Sequence, residues 1–204
     1  MSFRVKRFIR YYKWHIIFLL LVLVCLLFIL DSSVSKTQND MLVGYVGDRY
    51  VNTQDFNDNK SELELLLNDA NNDKKRHTEI LAYTADLQKD IDDLFDQMID
   101  TESYHIYIAS KETFKNYKNK DAFSDMKGFV ASNDDATEVL KDSDGKVYAV
   151  SLEGNTLAER LGIVDTTDVY IAAACFDKDN LTPYEKNAIN ITGYIIENKQ
   201  KYSY

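Results

Sequence analysis

Proline occurs once and glycine seven times in 204 residues, so the chain is neither collagen-like nor a proline- and glycine-rich disordered polymer. Cysteine occurs twice, at Cys25 inside an apolar run and at Cys175 inside the stretch IAAACF. A thiol in lipid and a thiol in a folded core cannot approach to disulfide distance, so the folded part is expected to be held by packing alone. An exported domain of that kind fits a bacterial surface protein better than a small disulfide scaffold. Histidine occurs three times, as His15, His77 and His105, and none has a cysteine or second histidine at metal-ligand spacing. The chain has no Gly-x-Ser-x-Gly elbow, no phosphate loop and no Gly-x-Gly-x-x-Gly turn. These lacks give the expectation of no catalytic residue, no metal ligand set and no cofactor, in a protein that is not an enzyme.

Charge of one sign is missing from the N-terminal segment. Residues 1–30 carry Arg4, Lys6, Arg7, Arg10 and Lys13 and no acid. With five of the 24 bases placed there, the remaining residues hold all 33 acids. An acidic domain of that kind repels phosphate backbones, which excludes nucleic acid as an expected partner.

Hydrocarbon is plentiful near the N-terminus. Ile16 to Leu30 is 15 residues without a polar side chain. From Trp14 to Leu30 a helix would span roughly 26 Å at ~1.5 Å per residue, against a bilayer core of about 30 Å. Tyr11, Tyr12 and Trp14 stand where an interfacial aromatic belt would be, with the cations just outside it. A cleaved signal peptide ending near Ser33-Val34-Ser35 is the alternative, but no glycine or proline breaks the run before residue 31. The expected organisation is therefore a cytoplasmic basic tail (1–13), a transmembrane helix in the lipid bilayer (14–30), a linker (31–40) and an extracytoplasmic α/β domain (41–204). The chain would be a single-pass cell-membrane protein with its domain outside, where a protein partner at the cell surface could meet it.

Beyond residue 40, five apolar runs read as strands: 41–46, 77–83, 104–109, 146–152 and 168–176. Several are almost continuously apolar, which suggests strands covered on both faces, as in a parallel sheet. Helical patterns lie between them, at a Ser61-x-x-Glu64 capping box, over 85–99, 110–118 and 156–161, and after Thr182-Pro183. Gly162 is placed to stop the fourth of these. The segment 119–145 is weakly patterned; FSDMKGFV could hold a short strand, and Asp144-Gly145 reads as a tight turn. The alternation predicts an α/β fold: one doubly wound, mainly parallel sheet of about five strands with flanking helices.

Three constellations could carry chemistry. Asp86, Asp90, Asp93 and Asp100 line one side of helix 85–99, which reads as a solvated face opposite its apolar stripe. Asp69, Asn71 and Asp73 have the 1-3-5 spacing of a calcium loop. The sixth position is Lys74 rather than glycine and the twelfth is Ile80 rather than glutamate, so a polar loop is expected. In open α/β sheets ligands bind outside the carboxyl ends of strands. That rule selects Asp48 and Arg49 after the first strand, Ser110 and Lys111 after the third, and Glu153, Asn155 and Thr156 after the fourth. Ser110 and Asn155 also read as helix N-caps.

The stretches SYHIYIASKETFKNYK (103–118), DSDGKVYAVSL (142–152) and TPYEKNAINITGYIIENK (182–199) resemble, in this order, segments of extracellular, type 2 periplasmic solute-binding proteins. The resemblance covers residues 41–200, enough for one lobe of such a protein. The chain also resembles short single-span bacterial membrane proteins whose exported part mimics one such lobe. The resemblance implies a membrane-anchored binding or interaction module and carries over no ligand residue. A structural accessory subunit of a membrane complex, or a metal-dependent surface enzyme, is the alternative.

Overall fold

The computed structural model describes residues 12, 14, 15, 17, 18, 21, 22, 39–130, 137–175 and 179–197. The chain divides into two units, residues 1–38 and residues 39–204. In the second, the elements run β1 (Met41–Gly47), α1 (Thr53–Asn59), α2 (Ser61–Leu66), β2 (Thr78–Thr84), α3 (Gln88–Asp100), β3 (Ile106–Ser110) and α4 (Lys111–Asn116). They continue with β4 (Val139–Lys141), β5 (Val147–Ser151), α5 (Thr156–Arg160), β6 (Val169–Ala173) and α6 (Pro183–Glu197).

The expected membrane span does not stand. Among the described residues no helix is long and apolar enough to cross a membrane. The physical reason is length: a helix over 14–30 is about 26 Å long, short of a ~30 Å hydrocarbon core. The single-pass placement falls with it. Most of the expected span 14–30, and residues 31–38 of the expected linker, lie outside the described residues.

Among the described residues the sheet has six strands, in the order β2-β1-β3-β6-β5-β4. It is mixed rather than mainly parallel: β1 pairs parallel with β2 and β3, while β3–β6, β6–β5 and β5–β4 are antiparallel. The parallel expectation failed because unbroken apolarity reports burial on both faces and is silent on direction. All five residues of β6 are buried, yet the strand runs against both neighbours. Two antiparallel pairings in succession bring β5 back into the direction of β1, β2 and β3. The sixth strand, β4, joins β5 through a turn in which the Asp142 N–H reaches the Lys146 carbonyl at 3.1 Å, with Gly145 at φ 81°.

Helices cover both faces. Phe56, Leu63, Leu157, Ala158, Ile191 and Ile195 of α1, α2, α5 and α6 pack with Val43, Ile106, Ile108 and Ile171. On the other face Ile91, Phe95 and Met98 of α3 and Phe114 of α4 pack with Tyr107, Tyr148, Tyr170 and Ala172. Period-two alternation sends Ile106 and Ile108 to one layer and Tyr107 and Ala109 to the other. α3 crosses β1 closely enough that a Cβ on Gly44 would lie 2.1 Å from the Met98 methyl. The first capping box is displaced: α2 begins at Ser61 itself, and Glu64 instead accepts the Thr78 N–H at 3.3 Å. The last one forms as patterned. The Thr182 hydroxyl accepts the Glu185 N–H at 3.2 Å, and the Glu185 carboxylate accepts the Thr182 N–H at 2.7 Å.

The segment FSDMKGFV forms no strand of its own. Phe123 makes a single bridge to Ala174, and Lys127–Phe129 is a 3-10 turn. α1 lies in a segment without amphipathic periodicity, and Asn52 caps it by accepting the Gln54 and Asp55 N–H groups.

Candidate functional site

Because β1, β2, β3 and β5 point the same way, their carboxyl ends share one edge of the sheet, where β6 begins. A cleft of about 270 Å³ opens there. Gly47, Asp48 and Arg49 contribute from the end of β1, Asp86 from the loop after β2, Gln88 from the start of α3, Ser110 and Glu112 from the β3–α4 junction, and Thr167 and Asp168 from the approach to β6. Tyr45 and Ile91 form its apolar part.

Each wall is held by its own hydrogen bonds. The Ser110 hydroxyl caps α4 by accepting the Thr113 N–H at 3.2 Å, and it lies 3.0 Å from the Thr113 hydroxyl. The Gln88 amide donates to that hydroxyl at 2.9 Å and to Asp92 at 2.7 Å, and Asn116 donates to Asp92 at 2.8 Å. This chain stitches α3 to α4 beside the cleft. On the opposite side Arg49 pairs with Asp165 at 2.5 Å and approaches Asp48 at 3.8 Å. Asp165 also accepts the Thr167 N–H at 2.9 Å. The Thr167 backbone and hydroxyl, and then Arg49, hold its carboxyl below the ordinary range. Burial raises the Tyr45 phenol, which stays protonated at neutral pH.

The charge facing the cleft is mostly negative. Asp48, Asp86, Glu112 and Asp168 line it, and among the described residues the one lining cation, Arg49, is already engaged by Asp165. No histidine serves it. His105 immediately precedes β3 and Ser110 ends it, and the five-residue strand alone separates them by roughly 16 Å at ~3.3 Å per residue. Among the described residues no group of three histidine, cysteine, aspartate or glutamate side chains is arranged to hold a metal ion. In the 69–73 loop the Asp69 carboxylate accepts the N–H groups of Asp73 and Lys74 at 3.1 and 2.8 Å, and Asn71 accepts that of Asp73 at 2.9 Å. Those oxygens are spent on their own backbone.

Of the seven residues selected from sequence, Asp48, Arg49 and Ser110 meet in the cleft. Lys111 does not line it: its ammonium pairs with Glu138 and its N–H reaches the Asp168 carbonyl at 3.2 Å. Glu153, Asn155 and Thr156 stand apart, because β6 lies between β3 and β5. Asn155 is buried and structural; it caps α5 through the Ala158 N–H at 2.9 Å and donates to the Ile195 carbonyl of α6 at 2.8 Å. Asp86 was within reach of the strand-end rule, since it follows the second apolar run. Thr167 and Asp168 were not, because they precede a strand and reach this edge only through its reversed direction.

Compared with protein-family models, curated proteins and solved structures, the chain matches none.

Proposed function

We propose that this chain is a non-catalytic binding module whose cleft at the ends of β1 and β3 takes a small polar solute bearing a positively charged group. The observation that supports it most is the convergence of four carboxylates, three from loops and Glu112 from the first turn of α4, on one cleft of about 270 Å³, with Arg49, the only lining cation among the described residues, paired with Asp165. An ammonium group would meet Asp48, Asp86 and Asp168, while Ser110 and Gln88 supply orienting polar groups. The hydrogen-bonded walls keep these positions set before a ligand arrives, which lowers the ordering cost of binding. The resemblance to one lobe of a solute-binding protein points the same way.

The test is a thermal-shift screen of the full-length chain against free amino acids, diamines and polyamines, matched to sugars and dicarboxylates of similar size. The reading expects amine-bearing solutes alone to raise the melting temperature. It expects the double variant Asp86→Asn/Asp168→Asn to lose that shift while folding normally. Stabilisation by dicarboxylates and not by amines would sink the reading.

A further inference from the structure

β2 is an edge strand, and its open side has a readable set of backbone groups. The His77 carbonyl accepts the Met41 N–H at 3.3 Å and the Ala85 N–H donates to Gly47 at 3.1 Å, so odd-numbered residues turn toward β1. Thr78 turns the other way: its N–H goes to Glu64 at 3.3 Å and its carbonyl accepts from Lys60 at 3.1 Å. By alternation Ile80, Ala82 and Thr84 present their N–H and carbonyl groups outward, and no strand lies beyond β2 among the described residues. The strand carries no proline, lysine or bulge to blunt this edge.

Two further features lie along the same edge. On the α3 side, Leu81 and Tyr83 border an open groove of about 410 Å³ with Leu42, Leu94, Met98 and Tyr104. Charge is biased at the ends: Lys74, Lys75 and Arg76 outweigh Asp73 before the strand, while Asp86 and Asp90 outweigh Lys89 after it.

We propose that the open edge of β2 is a self-association surface, on which a second copy of this chain adds its own β2 antiparallel across a two-fold axis at Ala82. Charge complementarity selects the occupant. In that arrangement the basic end of each strand lies beside the acidic end of the other, twice, and the contact closes on itself. The register uses the available groups: Ala82 faces the partner's Ala82, Ile80 faces the partner's Thr84, and the occupied Thr78 lies at the margin. Leu81 then stands opposite the partner's Tyr83 on the groove side, a close apolar cross-strand pair that occurs twice.

The test is site-directed cross-linking of the full-length chain with Cys25→Ser as background; Cys175 is buried. Paired residues on adjacent antiparallel strands have Cα atoms about 5.5 Å apart, within disulfide reach. Under mild oxidation Ala82→Cys is expected to give a covalent dimer far faster than Leu65→Cys, an exposed position on α2. Sedimentation of the cysteine-unaltered chain should show a dimer that weakens with added salt. Lys75→Glu with Arg76→Glu should weaken it by ~10-fold or more, and adding Asp90→Lys should recover part of the loss. Equal cross-linking at the two positions, or a monomer at every concentration and ionic strength, would overturn the proposal.

Discussion

His105 shows how one side chain can couple this fold to pH. Its Nδ1 accepts the Leu42 N–H at 3.0 Å, and its ring stacks on Tyr184 with centroids 5.2 Å apart. Burial pulls its pKa down to about 4, against a smaller upward pull from Glu185. Between that value and the ordinary histidine value the unfolded chain binds a proton that the folded chain refuses. Stability is therefore full above pH 6.5, falls as pH drops toward 4 and levels off below it, a loss on the order of 3 kcal/mol. Urea titrations at pH 7 and pH 4.5 should show this loss, and His105→Gln should flatten it. Asp40 is a second case. It is fully buried and accepts the N–H groups of Ala70, Asn71 and His77 at 2.7, 3.3 and 2.9 Å. Asp40→Ala orphans these donors and should cost about 3 kcal/mol or more in denaturant unfolding, whereas Asp40→Asn should cost less. Neither role is legible in the sequence, because each partner lies across the fold from the side chain it serves.

At the scale of elements, the strands β1, β2, β3, β5 and β6 fall within or beside the apolar runs that mark them; for β3, β5 and β6 the reason is that a strand buried on both faces is apolar throughout, while β2, an edge strand, exposes Glu79, Tyr83 and Thr84. α3 and α6 were equally readable, one from its stripe and the other from its Thr182–Glu185 capping box. What the residues did not carry is pairing. The antiparallel course of β6 between β3 and β5 is a tertiary choice that leaves no mark in VYIAA. The short elements β4 and α1 were missed for a different reason: three residues and seven residues are too few for periodicity to speak. Two element-level tests follow. Thr182→Ala removes the α6 cap and should cost about 1 kcal/mol by urea unfolding. Gly44→Val forces α3 off β1, since even a Cβ there meets Met98 at 2.1 Å and Tyr104 at 2.7 Å. It should cost about 1–3 kcal/mol or more as an overpacked contact, seen as a lowered melting temperature.

Across the whole molecule, strand direction decides which loops meet. Three adjacent strands, β2, β1 and β3, ending on one edge bring Asp48, Asp86 and Ser110 together, and the reversed β6 adds Asp168 while setting Glu153, Asn155 and Thr156 apart. The cleft was thus half legible: the strand-end rule finds its β1 and β3 contributors, and only the observed topology finds those before β6. The most direct measurement is a backbone-amide NMR titration of the full-length chain with the amine-bearing solute that stabilises it most. The account predicts shifts grouped at Gly47–Arg49, Asp86–Gln88, Ser110–Glu112 and Thr167–Val169, with residues 153–156 unmoved. Shifts centred on 153–156, or none near the cleft at saturating solute, would contradict it.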